Sequence, residues 1–248
     1  MIQVKSFCFN AFQENTYLVW NEQGEGLLID PGCYTYEERN ILKEFIEEKQ
    51  ITPKAIINTH AHVDHVLGVQ SIKEFYQIPF GLHQKETVIL QDVKNRAQVY
   101  GFPHYQETEI DFFLEEGQTL SFGEWSPKGL FTPGHAPGHV SFYFEKDQIL
   151  LSGDVLFRRS VGRTDFPHCN HEHLVQSIQT QLYTLPDETV VYPGHGGPTT
   201  IGEEKQFNPR FVGKDRNSFI EMMNNLNLPN PKKIAEAVPA NQLCGNQA

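Results

Sequence analysis

The chain has 248 residues, 39% hydrophobic, 21% charged and 12% aromatic, with a formal net charge of −11. That size and composition suit one large globular domain with a substantial core, and the acidic balance argues against nucleic acid and anionic membranes as partners. No apolar run approaches the roughly 20 residues that a membrane-spanning helix needs.

The first residues, Met1-Ile2-Gln3-Val4-Lys5-Ser6-Phe7, lack the basic-then-apolar layout of a secretion signal. The four cysteines (Cys8, Cys33, Cys169 and Cys244) are far apart and form no CxxC pair. Free thiols in a reducing compartment fit that spacing better than a disulfide framework. A cytoplasmic location is therefore expected.

In chain order, residues 2–8 and 16–20 read as strands separated by a turn. Gly24 and Gly26 admit a third strand over 27–30, which Asp30-Pro31-Gly32 stops. Residues 37–49 place Ile41, Leu42, Phe45 and Ile46 on one helical face. Pro53 ends the connection, and 54–58 reads as a buried strand. A helix over 66–76 and a short strand at 80–83 follow. Residues 84–113 combine a helix over 85–90 with the aromatic loop Tyr100-Gly101-Phe102-Pro103-His104-Tyr105, which could form a lid, wall a substrate site or serve packing. Strands are expected over 119–122, 125–131, 140–145 and 148–152. A helix over 172–183 with Asn170 as its N-cap, a strand over 189–192 and a helix over 218–226 complete the pattern. Pro229, Pro231 and Pro239 break up the tail.

Two halves, each of strands followed by helix, predict an α/β fold with two sheets face to face and helices outside. Residues 1–207 are expected to form the main domain. Residues 208–248 are expected to pack on it as a helical and extended tail.

The chemistry concentrates in Thr59-His60-Ala61-His62-Val63-Asp64-His65, directly after the apolar strand Ala55-Ile56-Ile57. Neutral imidazole is the commonest metal ligand in proteins, and Asp adds a hard oxygen. Residues two apart on an extended segment share a face, so His60 and His62 can reach one ion together. Asp64 and His65 are expected to turn at the strand end toward a neighbouring position. A polar loop with several histidines is the plain alternative, but such groups at a buried strand end are costly to desolvate without a partner.

Three later residues complete the set: His135 in a Gly- and Pro-flanked loop, Asp154 after the strand at 148–152, and His195 in Pro193-Gly194-His195-Gly196-Gly197. His60, His62 and His135 would hold one ion, and Asp64, His65 and His195 a second. Asp154 would bridge them with its two oxygens. Two such ions can share a bridging hydroxide that attacks a carbonyl. Asp64 and Asp154 are the expected catalytic carboxylates.

With its HxHxDH stretch and the distant His, Asp and His in order, the chain resembles the metallo-β-lactamase superfamily over nearly its whole length. That resemblance implies an αβ/βα sandwich with metals at one edge of two mixed sheets. Gly153-Asp154-Val155-Leu156-Phe157, Gly162-Arg163-Thr164-Asp165 and Tyr192-Pro193-Gly194-His195-Gly196 resemble the glyoxalase II-like (hydroxyacylglutathione hydrolase) group. This implies hydrolysis of a thioester of a small thiol, with two divalent ions, zinc first and iron or manganese as alternatives. Two departures stand beside it. The stretch after His195 is too short for the helical glutathione-binding domain typical of glyoxalase II. The tail (Asn208-Pro209-Arg210-Phe211, then Met223 to Pro229, then Ala237 to Asn241 and Cys244-Gly245) resembles that of the persulfide dioxygenases. Those enzymes use one iron(II) held by the equivalents of His60, His135 and Asp154. Gly194 before His195, and His139, favour the hydrolase, because dioxygenases usually place Ala before that histidine and often Cys at the other position. The expected partner is a small thiol-derived molecule, and the expected state a monomer or homodimer.

Other residues carry weaker expectations. Asp30 either accepts a hydrogen bond from a ligand histidine or caps its own turn. Cys33 reads as packed and inert, His139 as structural, and His168, His171 and His173 as solvated. Arg163 and Asp165 read as a structural ion pair. Arg158 and Arg159 are the candidates for holding an anionic substrate tail.

Overall fold

The computed structural model describes residues 1–117, 119–120 and 126–211. Strand β1 (Gln3–Phe9) pairs antiparallel with β2 (Glu14–Trp20), and β2 with β3 (Glu25–Ile29). The direction then changes, and β3, β4 (Thr52–Ile57), β5 (Phe80–His83) and β6 (Phe112–Leu114) run parallel. Parallel neighbours need crossovers. These are supplied by α1 (Tyr36–Glu48), by α2 (Val63–Val66) with α3 (Val69–Tyr76), and by α4 (Thr87–Val99).

The second sheet uses β7 (Lys128–Phe131), β8 (Val140–Phe144) and β9 (Ile149–Gly153), with β8 antiparallel to both β7 and β9. A small ribbon, β10 (Leu156–Phe157) with β11 (Ser160–Val161), follows. Helix α5 (His171–Ser177) runs on into a π turn at Ile178–Leu182. Strand β12 (Val190–Pro193) pairs parallel with β9, β13 (Thr199–Thr200) closes that edge, and α6 (Ile201–Phe207) follows.

The layering follows from alternation along buried strands. Tyr17, Val19, Leu27, Ile29, Ala55 and Ile57 meet Val140, Phe142, Phe144 and Leu151 between the sheets. The intervening residues Leu18, Trp20, Leu28 and Ile56 face outward, against Leu42 and Ile46 of α1, Val69 and Ile72 of α3, and Ile89 and Val93 of α4. On the far side, Leu130, Tyr143, Leu150 and Val191 pack on Leu174, Ile178, Leu182 and Ile201. The result is the expected αβ/βα sandwich. Each fully buried Leu, Ile or Phe contributes roughly 1.5–3 kcal/mol relative to exposure. Among the described residues, no helix is long and apolar enough to cross a membrane.

Several expectations need correction. The helix expected over 66–76 is two pieces, α2 and α3, and starts earlier, at Val63, so Asp64 and His65 make their turn beyond β4 within its first helical turn. Gly68 causes the break: its N–H donates to the Pro31 carbonyl at 2.8 Å, and the Cys33 thiol packs where a β-carbon would sit. The helix expected at 85–90 extends to Val99, and Pro53 lies inside β4 rather than ending a loop. Strand β7 begins at Lys128, later than expected; from the strand expected at 119–122 only residues 119 and 120 are described, Thr119 bridging Lys128 and the Leu120 N–H donating to the Pro127 carbonyl at 3.0 Å. The aromatic stretch after α4 serves packing: Tyr100 and Phe102 are buried against Phe12 and Tyr34. The expected helix over 218–226 and nearly all of the 208–248 tail lie outside the described residues.

Candidate metal centre

Each of the seven singled-out residues sits just beyond the C-terminal end of a strand: His60, His62, Asp64 and His65 beyond β4, His135 beyond β7, Asp154 beyond β9 and His195 beyond β12. The fold brings all seven together. His62 Nδ1 and His135 Nε2 are 2.9 Å apart. Asp154 Oδ2 lies 3.5 Å from both His135 Nε2 and His195 Nε2, and its Oδ1 lies 3.5 Å from His65 Nε2. Asp64 Oδ2 lies 3.2 Å from His195 Nε2 and 3.7 Å from His65 Nε2. Asp154 thus stands between two groups. In each of them (His60, His62 and His135; Asp64, His65 and His195) one ligand atom per residue falls within 4.8 Å of the others.

The back of each ring fixes which nitrogen faces inward. His65 Nδ1 is 3.1 Å from Asp30 Oδ2, His60 Nδ1 is 2.9 Å from Thr59 Oγ1, His135 Nδ1 is 2.9 Å from the Arg163 carbonyl, and His195 Nδ1 is 3.2 Å from the Gln13 carbonyl. Four rings therefore present Nε2, and His62 presents Nδ1. Asp30 also accepts from the Thr59 N–H at 2.7 Å and the Thr59 hydroxyl at 2.6 Å. It adopts φ 50°, a left-handed conformation that Asp tolerates. Asp30 is the acceptor for His65 rather than a plain turn cap.

Electrostatics divides the two groups. Burial, helped by neighbouring histidines, pushes His60 and His62 well below the usual imidazole range, and burial lowers His135 despite Asp154. His65 is opposed by burial, yet Asp64 and Asp154 raise it well above the usual range, and the same carboxylates do so for His195. Burial would raise the two carboxyls, but His65 and His195 outweigh it, holding Asp64 at about 2 and Asp154 well below the usual carboxylate range.

Whether a metal fits can be tested on the polar atoms themselves. His60 Nε2, His65 Nε2 and Asp154 Oδ1 are buried and have no hydrogen-bond partner. Leaving three such atoms without a hydrogen bond is costly. All three point into the cluster, and imidazole nitrogens with carboxylate oxygens are a donor set suited to zinc or iron. The residues fit the group. The site opens at His62 and His195, which are half-exposed and flanked by Phe166, 5.8 Å from the His62 ring, and Phe157, 6.4 Å from the His195 ring.

Supporting residues escaped the sequence reading because nothing local marks them. Glu86, at the end of a short 3-10 turn before α4, is fully buried. It accepts from the Ala61 N–H at 2.9 Å and the Gly138 N–H at 2.6 Å, and burial pushes its carboxyl up to about 7. Asn15 Nδ2 donates to the Pro193 and Gly196 carbonyls at 3.0 and 2.8 Å, and the Tyr17 hydroxyl to the Pro193 carbonyl at 2.7 Å, so β2 holds the His195 loop. Glu14, wholly buried, is pushed up by burial.

The smaller expectations mostly stand. His139 is structural: its Nδ1 is 3.0 Å from Thr132 Oγ1 and its Nε2 accepts the Asp154 N–H at 3.2 Å. Cys33 is buried and its thiol pushed up to about 12 by burial. Cys169 donates to the His135 carbonyl at 2.8 Å. Arg163 pairs with Asp165 at 2.6 Å and lies 4.3 Å over the Phe166 ring. Arg159 corrects its expectation. Its guanidinium is held by the buried Glu204 at 2.6 Å and by Glu203 at 3.4 Å, so it is committed to α6; Arg158 is exposed.

A profile of the metallo-beta-lactamase superfamily matches residues 9–195. The hydroxyacylglutathione hydrolase GloC of Haemophilus influenzae is 36% identical over 201 residues, covering 80% of this chain and 93% of that protein. The mitochondrial persulfide dioxygenase ETHE1 of Homo sapiens is 32% identical over 237 residues, covering 94% and 84%. Among solved structures, TTHA1623 in a di-iron-bound form matches with a TM-score of 0.75 at 37% identity, over 83% of this chain and 99% of that one.

Proposed function

Because the chain belongs to the metallo-beta-lactamase superfamily, we propose that it is a two-metal hydrolase cleaving the thioester of a small thiol, a hydroxyacylglutathione being the first substrate to try. The carrying observation is that Asp154 stands astride both ligand groups, in space that Gly194 leaves open. A β-carbon on Gly194 would overlap Asp154 Oδ1 and approach His65 Cε1 to 2.9 Å. The residue type at 194 thus bears on whether the second group can be filled. GloC, named a hydroxyacylglutathione hydrolase, and the di-iron form of TTHA1623 support the same reading.

His60, His62 and His135 would hold one ion, Asp64, His65 and His195 the other, and Asp154 both. Bound ions of this kind lower the pKa of a water and polarise a carbonyl. The chain's own residues do the rest. Asp30 keeps His65 Nε2 turned inward, and Asp64, ionised at neutral pH, can orient the attacking water. Phe157 and Phe166 wall the opening and shed water from the acyl group. A C–O bond forms, the C–S bond breaks, and the thiol leaves as a stable thiolate.

A second reading, oxidation of a persulfide on one iron, is favoured by the longer match to ETHE1, which spans 94% of the chain against 80% for GloC. One experiment separates them: metal content of protein purified without added metal, together with two assays. Two ions and thiol release from S-lactoylglutathione support the hydrolase. One iron with oxygen uptake on glutathione persulfide overturns it.

A further inference from the structure

We propose that Glu86 is the positioning residue of the His60–His62–His135 group, holding two ligand loops in register through their backbone amides. The proposal rests on the reading that this group holds a metal. The hydrogen bonds of the Glu86 carboxylate go to backbone amides rather than to ligand side chains. Its Oε2 accepts from Ala61, the residue between His60 and His62, and its Oε1 accepts from Gly138, three residues beyond His135. The carboxylate therefore links the loop after β4 to the loop after β7, and these are the loops that bring His62 Nδ1 within 2.9 Å of His135 Nε2.

The surroundings are built for this link. Glu86 is fully buried, so both amides reach it without competition from water. A β-carbon at Gly138 would stand 2.8 Å from His83 Nδ1 and 3.0 Å from the Glu86 backbone nitrogen, so glycine allows the approach. The next residue, His139, supports the Asp154 amide, which extends the register to the bridging carboxylate. The second group has a different anchor, since Asn15 and Tyr17 of β2 hold the His195 loop. Each ligand group thus has its own clamp.

Only an acceptor on both sides can serve two N–H donors. In Glu86→Gln the amide NH2 faces one donor, and that loop is released. The test measures zinc affinity by chelator competition in two backgrounds. His195→Ala leaves the His60–His62–His135 group as the principal site; His60→Ala leaves Asp64, His65 and His195. Glu86→Gln should weaken zinc about tenfold or more in the first background, the range seen when supports of metal ligands are removed, and by less than about twofold in the second. Glu86→Asp, shorter but with two acceptor oxygens, should recover part of the loss. Equal weakening in both backgrounds means a general structural role and overturns the proposal, as does unchanged affinity in the first. A His195→Ala protein that binds no zinc before Glu86 is changed overturns the metal reading together with it. Metal-free melting curves of each variant confirm that the comparison is made on folded chains.

Discussion

His62 Nδ1 faces His135 Nε2 at 2.9 Å. His135 uses its Nδ1–H on the Arg163 carbonyl, so its Nε2 is a bare lone pair. In the metal-free protein the proton between the rings must then sit on His62 Nδ1. An ion needs both lone pairs, so binding must move the His62 proton to Nε2. Nitrogen-15 NMR of the imidazoles should show His62 changing from the Nδ1–H to the Nε2–H tautomer on zinc addition, while His135 keeps Nδ1–H. A His62 already in the Nε2–H form without metal contradicts this.

The two ligand groups should respond oppositely to protons. With no metal, His65 and His195 are raised by Asp64 and Asp154. Their ion pairs stabilise the fold fully below the ordinary histidine pKa of about 6.5 and lose that contribution as pH rises through the raised values. Asp64, lowered to about 2, contributes above its ordinary value of about 3.9 and loses it as pH falls through about 2. Zinc entering this group at pH 7 must displace protons from His65 and His195; zinc entering the His60–His62–His135 group finds neutral rings. Calorimetry in buffers of different ionisation enthalpy should record about one to two protons released in His60→Ala and close to none in His195→Ala. Acidification should empty the Asp64–His65–His195 group first.

Gly194→Ala places a methyl group against Asp154 Oδ1 and His65. On the two-metal hydrolase proposal, metal content should drop from two ions to one, and thioester hydrolysis by about a hundredfold, the upper range for disturbing the support of a metal ligand. Full activity with two ions retained would show that the loop after β12 can shift to accommodate the methyl.

Asp30→Asn removes the carboxylate that Thr59 and His65 share. The amide oxygen can serve at most two of the three donors, and the NH2 then faces the remaining one. Zinc affinity should fall about 10- to 100-fold, with the loss divided between both groups because Asp30 supports His60 through Thr59 as well as His65. An effect confined to a single group would place the Asp30 contribution elsewhere.

How much of this was legible in the sequence depends on the kind of contact. The ligand types are spelled out in Thr59 to His65, and Ala55-Ile56-Ile57 shows that they follow a buried strand. The αβ/βα layering is written in alternations such as Leu27-Leu28-Ile29, where successive side chains face different layers. Asp30 was visible as an open choice, which its three partners decide. Glu86 left no trace, because its partners are the backbones of Ala61 and Gly138, and a backbone amide has no letter of its own. Arg159 misled for the converse reason: a cation invites an anionic ligand until the distant, buried Glu204 claims it. The break between α2 and α3 was hidden too, since Gly68 signals flexibility but not the approach of the Pro31–Cys33 loop that needs it.

The ligands are drawn from both sheets. His60, His62, Asp64 and His65 follow β4 in the first, and His135, Asp154 and His195 follow strands of the second. Bound ions would therefore act as a clasp across the sandwich, joining segments more than seventy residues apart in the chain much as a set of disulfides would. Chelation should then do more than silence a reaction. It should lower the melting temperature in proportion to the binding free energy lost, and open the seam between the sheets to proteases at the metal edge before the opposite edge.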